Sequence, residues 1–358
     1  TDYRKTVLYN SFDVTSLLNA ENAIGVTLGT GRFYAMRQNF KNYKIPTFGY
    51  PKMRLNLIIE YTDGTKETII SDTKWKLTAD GPIRSNNEYD GEEYDARKEL
   101  GDWAKVGYDD SSWKLAQRVT IPDGTLRAAM SPNLKVVDTV KPLTIKKLGN
   151  KYILDMGQNM AGWIRMKIKG SAGDSIRLRF AETLQENGEL FVRNLRDARV
   201  TDIYVARGDE AKDAEWAPRF VYHGFRYVEI IGYNNPTLND FIGEVVSDEM
   251  AITGSFESSN ATLNQVYKNA YWGILSNYKG MPVDCPQRNE RQPWLGYHAM
   301  GARGESFMFD CGNLYAKWMD DIRDAQREDG CIPDVVPAYW NYYSDNMTWP
   351  ATLLINCD

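Results

Sequence analysis

The hydrophobic period of the chain changes at Gly254-Ser255-Phe256, from about two residues before this point to about 3.6 after it. A period of two can cover only one face of a strand, and a period of 3.6 only one stripe of a helix. The chain is therefore β first and α second. In the β part, Leu55, Leu57, Ile59 and Tyr61 alternate with Arg54, Asn56 and Glu60, with Ile58 as the break. Asp63-Gly64 then turns the chain and Thr68-Ile69-Ile70 returns, the pattern of a hairpin. A linker with Pro122, Pro132 and Pro142 leads to a second β module from about Val136 to Glu249. There Ile164, Met166 and Ile168, then Ile176, Leu178 and Phe180 across Gly170–Asp174, predict a second hairpin with one buried face.

In the α part, Ser258 or Ser259 offers an N-cap. Leu263, Val266, Tyr267, Ala270, Tyr271, Ile274, Leu275 and Tyr278 form one stripe that ends before Gly280, which predicts a helix with a buried face. A second helix is expected with Pro293 in its first turn, running to about Phe309. A third, with Tyr315, Trp318, Met319, Ile322 and Ala325 on one face, is expected to stop at Gly330, and a fourth to begin at Pro350.

With 42% apolar and 25% charged residues over 358 positions, the chain has the balance of a globular protein of two or three domains. A net charge of −5, with the basic residues scattered, leaves nothing to neutralise phosphates, so neither nucleic acid nor an anionic membrane is an expected partner. No apolar run approaches membrane-spanning length, and Thr1-Asp2-Tyr3-Arg4-Lys5 lacks the apolar core of a signal peptide. The 10 Trp and 22 Tyr exceed what core filling needs; such rings stack on the C–H faces of sugars, although core packing is the commoner fate of any one of them. Cys285, Cys311, Cys331 and Cys357 lack the close pairing of zinc or redox sites and read as free thiols; neither a metal nor a cofactor is expected.

One stretch, Val283-Asp284-Cys285-Pro286-Gln287-Arg288-Asn289-Glu290-Arg291-Gln292-Pro293-Trp294-Leu295-Gly296-Tyr297, concentrates two carboxylates, two guanidiniums and an indole between prolines that forbid a continuous helix. As a spacing alone this is a solvated charge cluster. The full string, however, closely resembles the signature of the bacterial α-L-rhamnosidases, glycoside hydrolase family 78: Asp-Cys-Pro-x-Arg-x-Glu-Arg, then Trp, then Gly-Asp. Glu93–Arg97, Tyr108–Trp113 and Asn22–Val26 resemble the family's N-terminal jelly-roll domain. Asp155–Asn159, Ala181-Glu182 and Tyr222–Glu229 resemble its next β-sandwich.

The resemblance implies two antiparallel, jelly-roll-like β-sandwich domains, residues 1–125 and 136–250, followed at 255–358 by the first helices of an (α/α)6 toroid, with both the first domain and the toroid truncated. It implies removal of terminal α-L-rhamnose by an inverting, two-carboxylate mechanism. Glu290 corresponds to the general acid, Asp284 and Arg288 to residues that hold the rhamnose hydroxyls, and Trp294 and Trp349 to pocket walls; Tyr339–Tyr343 could extend that wall or serve as core. A neighbouring carboxylate and an apolar Trp294 would raise the Glu290 pKa, while Arg288 or Arg291 would lower it, and sequence leaves the balance open. Tyr297, followed by His298, stands where the family has Asp. The general base corresponds to a Glu in later helices, outside this chain, so the chain alone is expected to be inactive. Glu305 has no assigned role, and His223 is expected to be structural. A secreted or periplasmic location is expected for the full-length protein, with a cytoplasmic one also open. Two other readings stay open: a non-catalytic carbohydrate-binding protein, and a toroid glycosidase of altered sugar specificity.

Overall fold

A computed structural model describes residues 1–34, 48–338, 342–344 and 346–356. The first part of the chain contributes β1 (Thr6–Tyr9), β2 (Asn56–Glu60), β3 (Lys66–Ile70), β4 (Lys76–Leu77), β5 (Ile83–Asn87), β6 (Gly91–Asp95), β7 (Lys114–Leu115) and β8 (Thr125–Ala128). The middle contributes β9 (Leu134–Val140), β10 (Thr144–Leu148), β11 (Lys151–Lys167), β12 (Ser175–Ala181), β13 (Thr201–Val205), β14 (Glu215–Trp216), β15 (His223–Ile231) and β16 (Phe241–Asp248). Helices α1 (Ala261–Asn277), α2 (Leu295–Ser306), α3 (Gly312–Ala325) and α4 (Thr352–Ile355) follow, so the switch of period marks the switch of structure.

The first expected hairpin forms. β2 and β3 pair antiparallel with Ile58 opposite Thr68, and Gly64 takes the left-handed conformation (φ +84°) that the tight turn requires. The second does not form as expected. β11 and β12 bury the alternating residues that the sequence marks, Ile164, Met166, Ile176, Leu178 and Phe180, but β15 lies between them and pairs with both. Alternation specifies which face of a strand is covered; it carries no information about which strand is its neighbour. The long β11 shifts register between Asp155 and Met160, with Gly157 at φ +72°, and its far end pairs with β16. The result is one ten-stranded sheet curled around a shared core, with β5 and β6 at one end of the strand order and β9 at the other.

β6 from the first part pairs in parallel with β13 of the middle part, and β1 pairs in parallel with β8, from Thr6 opposite Thr125 to Tyr9 opposite Ala128. His223 is fully buried as the sequence reading expected, its ring stacked on Phe180 at 4.2 Å and its Nε2 3.0 Å from Asp202 Oδ1.

The helices differ from expectation at their ends. Asn260, not Ser258 or Ser259, caps α1, accepting from the N–H groups of Thr262 and Leu263. Only the C-terminal half of α1 leans on the sheet. Leu275 is buried there, whereas Leu263 and Val266 of the predicted stripe are 50% and 59% exposed. Helix α2 starts after Pro293, with Trp294 in the cap position, and stops at Ser306; α3 stops at Ala325, and Gly330 lies in the turn beyond it. Glu305 of α2 accepts from the Tyr278 and Tyr315 hydroxyls, with His298 Nδ1 3.4 Å away, and so links α1, α2 and α3 through a buried polar cluster. Among the described residues no helix is long and apolar enough to cross a membrane.

Candidate active site

The stretch singled out by the sequence is a closed loop on the seam between sheet and helices. Asp284 N–H donates to Gln292 O and Gln292 N–H to Asp284 Oδ1, both at 2.9 Å, which ties the ends of the loop together. Its first half lies flat on β15. A Cβ at Gly224 would stand 2.9 Å from Gln287 Cβ and 3.0 Å from Pro286 Cγ, so only glycine permits this approach. Its second half is held by Arg291, fully buried at φ +51°, which donates to Tyr222 O and lies over the rings of Tyr222 (4.6 Å) and Tyr89 (5.6 Å). Arg32, paired with Glu88, donates to Arg291 O. Residues from the first and middle parts of the chain thus fix the backbone on which the acidic groups stand.

Glu290 is 7% exposed and its carboxylate is saturated by donors. Trp294 Nε1 donates to Oε1 at 2.9 Å, and Oε2 accepts from Arg288 Nε at 2.9 Å and Nη2 at 2.8 Å. Arg196 Nη1 reaches the same Oε2 at 2.9 Å from the middle module. Burial works to raise the Glu290 pKa, but Arg288, the Trp294 indole, Asp284 and Arg196 outweigh it, and the group is held below the usual glutamate range. Geometry thus decides the balance that the sequence left open. Trp294 acts on Glu290 as a hydrogen-bond donor rather than as an apolar wall, and its ring stacks on Tyr342 at 5.7 Å.

Asp284 shows the opposite behaviour. Its side chain is 3% exposed, and its pKa is pushed up to about 6 by burial and then by the charge of Glu290, against the N–H of Gln292. Arg288 Nη2 lies 3.5 Å from Asp284 Oδ2, so one guanidinium serves both carboxyls. Of the two carboxyls Asp284 is the weaker acid, so a proton taken up by the pair as pH falls toward about 6 rests on Asp284.

One oxygen each from Asp284 and Glu290 and the Cys285 sulfur lie within 4.8 Å of one another. This set does not fit a cation. Arg288 already reaches both carboxyls and Arg196 pairs with Glu290, and burial pushes the Cys285 thiol up to about 12, far from the thiolate that a metal would require.

Tyr297 stands on the first turn of α2, 60% exposed, its ring 6.2 Å from that of Trp349. Trp349 rests directly on the helix: a Cβ at Gly296 would come within 2.3 Å of the indole, so glycine there is what lets the ring seat. Of Tyr339–Tyr343, only Tyr342 and Tyr343 fall within the described residues; Cys357 falls outside them, and Cys285, Cys311 and Cys331 are free thiols.

The sequence reading missed Arg196, Asp197 and Glu182. Asp197 accepts from the Asn289 side chain, and Glu182, raised above the usual range by burial, is held by Asn159 and Asn194 on the side of Arg288. They come from loops and strand ends about a hundred positions upstream; the family-like Ala181-Glu182 pair was a signal for Glu182, and no local feature marks Arg196 or Asp197.

Three family models match in succession: the α-L-rhamnosidase N-terminal domain over residues 1–138, the bacterial α-L-rhamnosidase concanavalin-like domain over 145–247, and the bacterial α-L-rhamnosidase 6 hairpin glycosidase domain over 251–358. An α-L-rhamnosidase of Streptomyces avermitilis is 36% identical over 98% of this chain and 34% of its own length, and one of Formosa agariphila is 36% identical over 94% and 37%. The chain thus spans about a third of the length of these curated relatives. The structure of α-L-rhamnosidase from Dictyoglumus thermophilum superposes with a TM-score of 0.91 at 38% identity, covering 99% of this chain and 39% of that one. That of the Streptomyces avermitilis enzyme complexed with L-rhamnose gives 0.87 at 33%, covering 98% and 34%. With its curled concanavalin-like sheet, the opening helices of a six-hairpin domain and the Asp284–Trp294 loop between them, the chain belongs to the bacterial α-L-rhamnosidase family.

Proposed function

We propose that the protein removes terminal, non-reducing α-L-rhamnose from a glycoside or polysaccharide, with Glu290 as the proton donor and inversion at the anomeric carbon. The observation that carries this reading is the Asp284–Glu290 pair, two buried carboxyls under one guanidinium that take up a proton at about pH 6, on a loop of matching family signature. Glycoside cleavage needs such a proton for the leaving oxygen. Asp284 and Glu290 are too close to flank a sugar ring, since they share Arg288, so Asp284 is not the carboxylate of the opposite face. It serves as proton store and, with Arg288, as partner for the sugar hydroxyls. Trp294 and Trp349 supply apolar surface for the methyl group of a 6-deoxy sugar.

The test, made in the full-length protein because this chain alone is expected to be inactive, is a series of aryl α-L-rhamnosides of graded leaving-group ability, with proton NMR of the first sugar released. Glu290→Gln should lose most turnover on poor leaving groups and little on activated ones, and the first product should be the β-anomer. Equal losses across the series, or retention, would overturn the assignment.

A further inference from the structure

Glu290 can protonate a leaving oxygen only through Oε1 or Oε2, and each already has its donors. Oε1 faces the Trp294 indole, and Oε2 carries both Arg288 and Arg196. These donors differ in their freedom to leave. Trp294 is anchored through its N–H to Gln292 O and its ring against Tyr342, and Arg288 sits two residues away in the same loop and is also engaged with Asp284. Arg196 comes from a separate element, the residue after a single turn at Arg193–Leu195, and its side chain is 51% exposed. Its backbone stands at φ 59°, ψ −121°, a conformation that a non-glycine residue adopts only at a cost and that here aims the guanidinium at the loop.

We propose that Arg196 is a positioning residue for the proton donor: it covers Glu290 Oε2 from the leaving-group side and must be displaced by the substrate before that oxygen can deliver a proton. The inference rests on the glycosidase reading for its substrate, but its electrostatic part does not. While Arg196 is in place, Glu290 is the stronger acid of the two, and a proton that the pair takes up sits on Asp284. When the leaving group moves the guanidinium aside, Glu290 Oε2 loses one of its two cationic partners and gains proton affinity relative to Asp284. The proton passes between two carboxyls within 4.8 Å, and no other reactant is required. Arriving substrate thus arms its own acid. The other charged or titratable groups around Glu290 are Asp284, Cys285 and Arg288 from the loop, Tyr89 at its backbone carbonyl, and Glu182 and Asp197 from the middle module.

The experiment is a carbon-13 NMR titration of the Glu290 side-chain carboxyl in the 358-residue chain, assigned by its loss in Glu290→Gln. Arg196→Gln should raise the midpoint by about one unit, the low end of what losing one opposite charge at this distance produces. Arg196→Lys, which keeps the charge, should raise it by less than half as much, and Arg199→Gln, three residues along, should leave it in place. Adding methyl α-L-rhamnoside should raise the midpoint in the natural chain and add little in Arg196→Gln. An unmoved midpoint in Arg196→Gln, or equal rises with Lys and Gln, would overturn the proposal, as would bound sugar that leaves the natural midpoint unchanged. The variant arms need no turnover, so they stand or fall separately from the rhamnosidase reading. A Glu290→Gln form that cleaves all substrates normally would sink that reading alone.

Discussion

Two buried acidic clusters in this molecule have much the same electrostatics and different surroundings. In the loop, burial and Glu290 push Asp284 up to about 6. In the sheet, burial and Asp202 push Glu92 up to about 7, although Glu92 accepts from the backbone N–H groups of Arg219 and Phe220. Glu92, Asp202 and His223 are all fully enclosed, and their hydrogen-bond partners are one another and the backbone of Arg219 and Phe220. The loop pair is instead bordered by the half-exposed Arg196, which follows a separate turn at Arg193–Leu195. A raised carboxyl pKa is therefore no sign of function in itself, and what separates the two clusters is whether a partner can be exchanged. The sheet cluster joins the first part of the chain to the middle one; the loop cluster has a charged partner at the surface.

The sharpest way to break this contrast is to remove one carboxyl from each cluster. In the full-length protein, Glu290→Gln should lower kcat/KM on alkyl rhamnosides by about 10²- to 10⁴-fold, the usual contribution of a general acid. Glu92→Gln should leave kcat/KM unchanged at temperatures where the protein stays folded. Comparable losses would mean that the sheet cluster also acts in the reaction.

Stability should respond in the reverse order. Asp202→Ala strips partners from both His223 Nε2 and the Glu92 N–H in a place that water does not reach, and should cost about 3–5 kcal/mol in urea unfolding. A cost below about 1 kcal/mol would show that the cluster is not a structural joint.

The pH dependence follows from the sign of the Glu92 shift. Its folded pKa, about 7, lies above its unfolded value, so the folded state binds the extra proton. This contribution is fully present below about pH 4.5 and is lost as pH rises toward 7, by up to about 3 kcal/mol. Glu92→Gln should flatten the unfolding free energy across that window. An unchanged slope would place the proton elsewhere, with Asp284 as the next candidate.

The smallest expected effect concerns the rim of the loop. Tyr297 is exposed on α2, so Tyr297→Asp removes little packing and provides a charged acceptor where the family has one. A gain of about tenfold in kcat/KM on α-L-rhamnosides is expected from one recovered charge-assisted hydrogen bond. A neutral or harmful result would make Tyr297 a working part of this protein's own pocket.

What the sequence disclosed and what it withheld divide along physical lines. Local information was legible: the change of period at Gly254, the turn at Asp63-Gly64, the faces of β11 and β12, and a proline-punctuated loop that had to leave the helix. Partnership across the chain was not. Nothing near Ile164 or Leu178 indicates that β15 will come between their strands, and nothing near Arg196 indicates that it will meet a carboxylate ninety-four positions later. The sequence placed the opposing influences on Glu290, but their sum depends on distances of a few ångströms that only the fold sets.

Arg291 bears on the order in which the molecule is made. Its guanidinium is enclosed between Tyr89 and Tyr222, which lie far upstream in two different parts of the chain, and its left-handed backbone is tolerable only when that enclosure exists. During synthesis both tyrosines leave the ribosome before Arg291 does, and domains that emerge first fold first. The sheet can thus act as the mould in which the reactive loop sets. The loop should become rigid last, and a lesion that delays either upstream module should leave it unformed even where its own residues are intact.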